Sequence, residues 1–345
     1  MEKNLYMKIE NKRTFVIAEA GVNHNGSIKK ALKLIEVAKL SGADAIKFQT
    51  FKAENLATDY APKAEYQKYK SLKNETQFQM LKKLELTDAM HKACFKECKK
   101  KKIIFISSAF DIESLCYLKK FKLSYFKVPS GEITNIPYLE VLGKFRKKII
   151  LSTGMSNISE IKKALKTLTI NGTKKNNITL MQCTSAYPAP YDEINLNTIF
   201  TLRDIFKLNI GFSDHSLGVQ ASLAAVALGA KVIEKHITLS KKLKGPDHRA
   251  SLDPKEFKFM VQGIRIVEKS LGSKIKKVTK SEKKNIYIVR KSIVASTKIK
   301  KNEKFSNFNI TCKRPGTGIS PLFLKKLIGK KSIKNFNKNE LIRIE

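Results

Sequence analysis

Eight short β-branched or aromatic runs, each leading toward a longer stretch with helical spacing, constrain this chain more than any other feature of it. The runs are Phe15–Gly21, Ala45–Phe51, Ile103–Phe110, Tyr125–Glu132, Lys148–Met155, Ile178–Tyr187, Asn209–His215 and Lys231–Leu239. Between them, helical patterns cover Ile28–Leu40, Gln77–Lys100, Ile112–Phe121, Ile158–Leu168, Leu196–Phe206 and Gln220–Leu228. A last one, Lys255–Leu271, follows Pro254 and places Phe257, Met260, Val261, Ile264 and Val267 on one face. Strands that alternate with helices form a parallel sheet covered by those helices, and eight strands close it into a barrel. The predicted fold is therefore α/β, a (β/α)8 TIM barrel. A doubly wound open sheet competes, but it requires a GxGxxG-type phosphate turn after an early strand, and GVNHNG lacks that spacing.

The barrel should occupy residues 1–272. Ser273–Lys284 is rich in Lys and Ser without apolar periodicity and reads as a linker at 273–284. Residues 285–345 change character, with short strands, a KRPGTGISP turn and a brief helix around Leu322–Ile328, which predicts a small second domain.

A formal charge of +38 on 345 residues raises nucleic-acid binding as a reading from another class. The basic residues are overwhelmingly Lys, however, spread along the chain with abundant Asn and Ile, whereas base and phosphate recognition favours Arg forks. Runs such as Lys99–Lys102 and Lys174–Lys175 read as solvated helix ends or turns. The five cysteines, Cys94, Cys98, Cys116, Cys183 and Cys312, are scattered and include no CxxC pair, which predicts free thiols in a reducing compartment. MEKNLYMKIENKRTF lacks the apolar core of a signal peptide, and no stretch reaches the ~18–20 apolar residues of a membrane span. The cytoplasm is the expected location.

A barrel places its chemistry at the C-terminal ends of its strands. The unusual polar residues collect there: Glu19 on strand one, Lys47 and Gln49 on two, Lys127, Ser130 and Glu132 on four. Ser152 ends strand five and Tyr187 strand six, Ser213 and His215 close strand seven, and Glu234 and His236 close strand eight. A single His at a strand end is an ordinary structural residue. Two of the chain's five His at adjacent strand ends can share one divalent cation, because neighbouring strands lie ~4.8 Å apart. Lys47 and Lys127 could bracket a phosphate with help from Ser130 and Ser152; the alternative is that they form internal ion pairs with Glu19 and Glu132. Cys94 and Cys98 share a helix face and Cys183 sits in strand six, so all three read as packing residues.

These strand-end segments also carry a resemblance. AEAGVNHNGS, GADAIKFQTFK, FKVPSGEITNIPYL, KIILSTGM, QCTSAYPAPYDEINL, GFSDHS, AVALGAKVIEKHITL and GPDHRASLDP, in that order, resemble the sialic acid synthase family. The tail, from RKSIVAS through KRPGTGISP to IGKK, is similar to that family's antifreeze-like (SAF, β-clip type) C-terminal module. The resemblance implies a metal-dependent condensation of phosphoenolpyruvate with N-acetylmannosamine and water, giving N-acetylneuraminate and phosphate. An acceptor of the 2,4-diacetamido-2,4,6-trideoxymannose type, giving N,N'-diacetyllegionaminate, is the alternative. The pseudaminate branch is disfavoured by the GPDH turn at Gly245–His248.

By the same resemblance the metal, Mn2+ with Mg2+ or Co2+ as alternatives, falls to His215 and His236. Phosphoenolpyruvate contacts fall to Lys47, Gln49, Lys127, Ser130, Ser152 and Ser213. Amino-sugar contacts fall to Phe110, Glu132, Tyr187 and Asp247. Glu19, Glu132 and His236 take the catalytic roles. A domain-swapped homodimer is also implied, with Arg314 of one subunit closing over the sugar in the other. The chain departs from the family pattern at Ser108 and Ala109, expected in a loop bordering the substrate, and at Gln182 and Ala186. Asn74 stands in the loop where some members use an Asn.

Overall fold

The computed structural model describes residues 13–64, 67 and 75–344. Residues 1–12, the main part of the stretch read for a signal peptide, and Asn74 lie outside the described residues. The chain divides after Gly272 into two compact units.

In the first unit eight parallel strands close a barrel in sequence order. They are β1 (Phe15–Gly21), β2 (Ala45–Thr50), β3 (Ile104–Ala109), β4 (Tyr125–Val128), β5 (Lys148–Ser152), β6 (Ile178–Cys183), β7 (Asn209–Asp214) and β8 (Val232–His236). Around them run α1 (Ile28–Leu40), α2 (Ala53–Leu56), α3 (Gln77–Lys82), α4 (Asp88–Lys101) and α5 (Ile112–Lys119). α6 (Ile136–Gly143), α7 (Ile158–Ile170), α8 (Thr198–Phe206), α9 (Gln220–Ala227) and α10 (Pro254–Leu271) complete the helices of this unit.

Both faces of every strand are covered, and the two faces belong to different cores. Outward residues such as Phe48, Phe126, Leu151, Phe212 and Ile233 pack with the helices in the large cluster. Inward residues Phe15, Ile17, Ala45, Ile106, Tyr125, Ile150, Met181 and Val232 fill the lower lumen. Because side chains alternate across a strand, the next inward position lies two residues on. Ile17 is thus followed by Glu19, Ala45 by Lys47, Ile106 by Ser108, Tyr125 by Lys127, Ile150 by Ser152, Met181 by Cys183 and Val232 by Glu234. One step up the barrel converts a wholly apolar layer into a largely polar one, so the lower layer is a plug and the upper a floor.

Several strands stop earlier than their β-favouring sequence suggests. β4 ends at Val128 because Pro129 has no N–H for the ladder, and Ser130–Glu132 coil into a turn of 3₁₀ helix. β5 and β6 end at Ser152 and Cys183, so Thr153–Met155 and Thr184–Tyr187 belong to rim loops. The single helix expected over Gln77–Lys100 is two, with Thr87 starting the second by accepting a hydrogen bond from the Met90 amide at 3.2 Å. α6 was not evident in the sequence. IPYLEVLG is apolar nearly all round, which erases the periodicity of a half-exposed helix, although Asn135 caps it and Pro137 sits in its first turn.

The loop after β1 buries His24 completely, with its Nδ1 accepting from the Gly26 amide at 3.0 Å and its ring against Phe48. Burial pushes this imidazole down to about 4, so it is neutral in the folded chain. An unfolded His takes its proton near pH 6.5, so the stability contributed here is complete above that pH and is lost as pH falls toward 4. The loss should approach about 3 kcal/mol. Denaturant unfolding of His24→Gln between pH 7 and pH 4 should show a correspondingly shallower pH dependence than the parent. Parallel curves would mean that His24 is not the group responsible.

The second unit contains α11 (Lys283–Val289), β9 (Ser292–Ala295) antiparallel to β10 (Ile310–Lys313), and α12 (Leu324–Leu327). Its core is Ile293, Ala295, Ile299, Phe305, Ile310, Leu327, Phe336 and Ile342. α11 begins inside the stretch expected to be linker, so Lys283 and Lys284 are helical. All five cysteines are free, and among the described residues no helix is long and apolar enough to cross a membrane.

Candidate active site

The polar floor of the barrel is a network of opposed charges. Lys47 Nζ lies 2.8 Å from Glu19 Oε2 and 3.7 Å from Glu234 Oε1, and donates to Ser108 Oγ at 3.1 Å. Lys127 Nζ lies 3.4 Å from the same Glu234 oxygen and donates to Ser152 Oγ at 2.8 Å, while Ser213 Oγ donates to Glu234 at 3.1 Å. A solitary buried ammonium or carboxylate costs several kcal/mol, so the two cations and two anions make one another tolerable. Lys47 pairs with Glu19 as anticipated. The second anion is Glu234, not Glu132, whose carboxylate instead accepts from Asn135 Nδ2 at 2.6 Å.

Above this floor opens a cavity of about 390 Å³. Of the residues singled out in the sequence, Glu19, Lys47, Gln49, Phe110, Lys127, Ser130, Ser152, Tyr187, Ser213, His215 and His236 line it. Glu234 and Cys183 line it as well, and Leu56, Leu81 and Met155 give it apolar walls. Another cavity of about 410 Å³, lined by Phe95, Phe105, Phe121 and the lysines Lys99, Lys120 and Lys122, lies where β3 and β4 begin. It contains no acid, imidazole or hydroxyl beyond Ser124, so the chemistry belongs to the C-terminal rim.

Three expected residues do not line the cavity. Glu132 sits in the turn after β4. Asp247 stands behind His236, its Oδ2 3.7 Å from His236 Nδ1. Arg314 belongs to the second unit, where its Nε donates to the Val289 carbonyl at 3.0 Å. Ser108 is not in a loop. It is an inward residue of β3 bonded to Lys47, and the neighbouring Ala109 faces the helices. Gln182 faces away from the site and donates to the Ile194 carbonyl at 3.0 Å. Cys183 is buried as expected, yet it borders the cavity with Sγ 3.7 Å from His215 Nδ1, so packing is not its whole environment.

The two imidazoles at the ends of β7 and β8 have ring centroids 5.6 Å apart. His215 Nδ1 lies 2.7 Å from the Thr184 carbonyl, which can only accept, so that nitrogen carries a proton and Nε2 is the one left to face a cation. Burial works against the charged ring, but Cys183 and this carbonyl prevail and hold its pKa above the ordinary imidazole value, so binding an ion there would displace a proton. His236 Nδ1 is buried with no hydrogen-bond partner among the described residues. Burial, with His215 and Lys47 nearby, holds His236 well below the ordinary imidazole range, so it is neutral and able to act as a ligand. Both rings face Tyr187, whose centroid is 4.0 Å from that of His215.

The acids separate into two kinds. Burial pushes Glu19 up to about 7 against the pull of Lys47, and pushes Asp247 up to about 6. For Glu234 burial works in the same direction, but the charges of Lys127 and Lys47 prevail and hold it below the carboxylate range. Glu19 can therefore exchange a proton near neutrality while Glu234 stays a fixed counter-charge. Gly21, at φ +51°, lets these groups converge. A Cβ there would sit 3.2 Å from Glu19 Oε1 and 3.3 Å from both Asp247 Oδ2 and Gln49 Nε2.

With this geometry in place, comparison with known proteins assigns the family. The model of the NeuB family matches residues 34–276, and that of the SAF domain matches 290–345. The chain belongs to the NeuB family. Over 332 residues it is 54% identical to the N,N'-diacetyllegionaminic acid synthase of Campylobacter jejuni, covering 96% of this chain and 99% of the relative. It is 42% identical to the N,N'-diacetyllegionaminic acid synthase of Legionella pneumophila, covering 94% of this chain and 91% of the relative. The solved N-acetylneuraminic acid synthetase of Leptospira borgpetersenii superposes with a TM-score of 0.70 at 32% identity, covering 79% of this chain and 90% of that one. This NeuB-family chain is thus an enzyme, a transferase of the sialic-acid-synthase type, built as a TIM barrel followed by a SAF domain.

Proposed function

We propose that this NeuB-family enzyme condenses phosphoenolpyruvate with a 2,4-diacetamido-2,4,6-trideoxymannose and water, giving N,N'-diacetyllegionaminate and inorganic phosphate. The observation that carries the chemistry is the pair of ammonium groups, Lys47 and Lys127, set in a buried polar floor beside two imidazoles at adjacent strand ends. N-acetylmannosamine was the first expectation from the sequence. The diacetamido sugar now stands ahead of it because the two relatives at 54% and 42% identity are both N,N'-diacetyllegionaminic acid synthases. The walls of the cavity agree. Leu56, Leu81, Phe110 and Met155 suit an acceptor edged by a C6 methyl and two acetyl methyls better than one carrying hydroxyls at C4 and C6.

In the proposed reaction C3 of phosphoenolpyruvate bonds to the aldehyde carbon of the open-chain sugar, and water adds to C2. One water proton goes to the sugar oxygen and the other to the departing phosphate as the C2–O bond to phosphate breaks and the ketone forms. Glu19, poised near neutrality, is placed to take and return a proton. Lys47 and Lys127 would hold the phosphate, with Ser130, Ser152 and Ser213 as hydroxyl partners and Gln49 orienting Glu19 at 3.3 Å. A divalent cation fits His215 and His236, one with Nε2 freed by its own backbone bond and the other with a buried nitrogen lacking a partner. When bound, such an ion, Mn2+ in this reading, supplies Lewis-acid polarisation and a template for the aldehyde. Among the described residues no group of three or more His, Cys, Asp or Glu is set to hold an ion, so His215 and His236 are the two protein donors of this reading.

The family resemblance adds a homodimer in which Arg314 of one subunit closes over the acceptor in the other. Arg314→Ala should then raise KM for the sugar at least ~10-fold and leave KM for phosphoenolpyruvate unchanged. Equal KM values would remove Arg314 from the site. Free thiols fit a cytoplasmic location.

The acceptor is tested by phosphate release from phosphoenolpyruvate with Mn2+ and each sugar in turn. The diacetamido sugar should exceed N-acetylmannosamine in kcat/KM by at least ~10-fold, the scale on which pockets separate such analogues. The reverse order would return the assignment to N-acetylneuraminate synthesis, favoured as a second reading by the likeness to the Leptospira enzyme.

A further inference from the structure

We infer that a buried ion pair on the outer face of the barrel, Asp214 with Lys235, positions the two imidazoles that would hold the metal. The inference rests on the metal site proposed above.

Outward positions on β7 and β8 are otherwise apolar: Ile210 and Phe212 on one strand and Ile233 on the other pack into the large helix-facing core, as does Ile237 just beyond β8. That pattern breaks at one level only, where Asp214 and Lys235 are register partners across the two strands. Asp214 immediately precedes His215, and Lys235 immediately precedes His236. Alternation turns the pair outward and both imidazoles inward, so the clamp lies one residue before the candidate ligands on both strands.

The pair has negligible exposure and is held from several directions. Lys235 Nζ lies 3.0 Å from Asp214 Oδ2 and donates to the Ser216 carbonyl at 2.5 Å. Asp214 Oδ1 accepts from the Ser216 amide at 2.9 Å and its hydroxyl at 2.6 Å, and Oδ2 accepts from Ser222 Oγ of α9 at 2.6 Å. The turn bearing His215 is therefore closed around the Asp214 carboxylate and tied to β8 and α9. His215 has its own bond to Thr184. His236 has no such bond at Nδ1, so the placement of its ring depends on the backbone that Lys235 anchors.

Apolar residues at this rung would pack as their neighbours do, and replacing a buried ion pair with them is often neutral or stabilising. What apolar contacts lack is direction. The ion pair fixes the rotation and register of two strand ends whose imidazoles must face one point.

The test separates stability from positioning. In Asp214→Leu/Lys235→Met, thermal unfolding should stay within a few degrees of the parent. Mn2+ affinity, followed by the electron paramagnetic resonance of free Mn2+, should fall ~10–100-fold, the usual cost of losing support behind a ligand. kcat should fall with it while KM for phosphoenolpyruvate holds, because Lys47 and Lys127 are untouched. A folded double variant with parental Mn2+ affinity, alongside a His236→Ala control that loses it, would overturn the clamp and leave the metal site standing. If His236→Ala also kept parental affinity, the metal site and the clamp would fall together. Should the double variant not fold, Asp214→Asn/Lys235→Met keeps an oxygen for the two Ser216 donors and leaves no unpaired buried charge, and the same outcomes are read from it.

Discussion

His236→Ala should lower kcat at least ~10³-fold at saturating Mn2+, with the thermal midpoint shifted by no more than a few degrees. The activity loss follows from the chemistry assigned to the site. Lewis-acid stabilisation of developing charge contributes several kcal/mol, and each 1.36 kcal/mol is a factor of ten. The small stability effect follows from the structure. His236 is buried with a nitrogen that bonds to nothing among the described residues, and it sits near His215, Lys47 and Lys127. Truncation removes packing but also an unsatisfied polar atom, and the two effects oppose each other. Phosphate release under saturating substrates reads the first quantity and calorimetry the second. Near-parental turnover would refute His236 as a ligand.

Lys127→Met should reduce kcat/KM for phosphoenolpyruvate ~10²–10³-fold, with KM for the sugar nearly unchanged. Lys127 is fully buried, and desolvation holds its ammonium below the ordinary lysine range even with Glu234 pulling the other way. A preformed cation in such a site is worth far more to a phosphate than one in water, and removing it costs ~2–5 kcal/mol. Met fills nearly the same volume, and Glu234 keeps Lys47 at 3.7 Å and Ser213 at 3.1 Å, so the floor should survive. Lys127→Arg should not restore the parent rate, because a planar fork does not replace a compact ammonium in a packed layer. A loss shared equally between the two substrates would mean that Lys127 supports the barrel and does not bind phosphate.

Much of the fold could be read from residue spacing, because parallel strands buried on both faces appear as short apolar runs. The limits lay where spacing carries no phase. In IEKH three polar residues follow one another, and the pairing of Glu19 with His236 across β1 and β8 shows that Glu234 and His236 face inward while Lys235 faces out. The sequence therefore points to Glu132 where the structure has Glu234 as the counter-charge of both lysines. The signal for Glu234 was available in retrospect, two residues beyond the lumen residue Val232. For Ser108 the residue spacing, which places it in the run Ile103–Phe110, agrees with the structure, and the loop that the family pattern implies does not: β2 keeps it in the sheet, facing Lys47. α6 was hidden by its own apolarity. The acceptor sugar was not legible, since the residues that would meet it come from rim loops whose shape depends on the whole barrel.

The most direct test is a crystal grown with phosphoenolpyruvate and Mn2+, measured at the manganese absorption edge. The expected map has one anomalous peak touching both His215 and His236, with the phosphate held by Lys47 and Lys127. Manganese bound elsewhere, or an enol phosphate outside the reach of both lysines, would contradict the proposed centre.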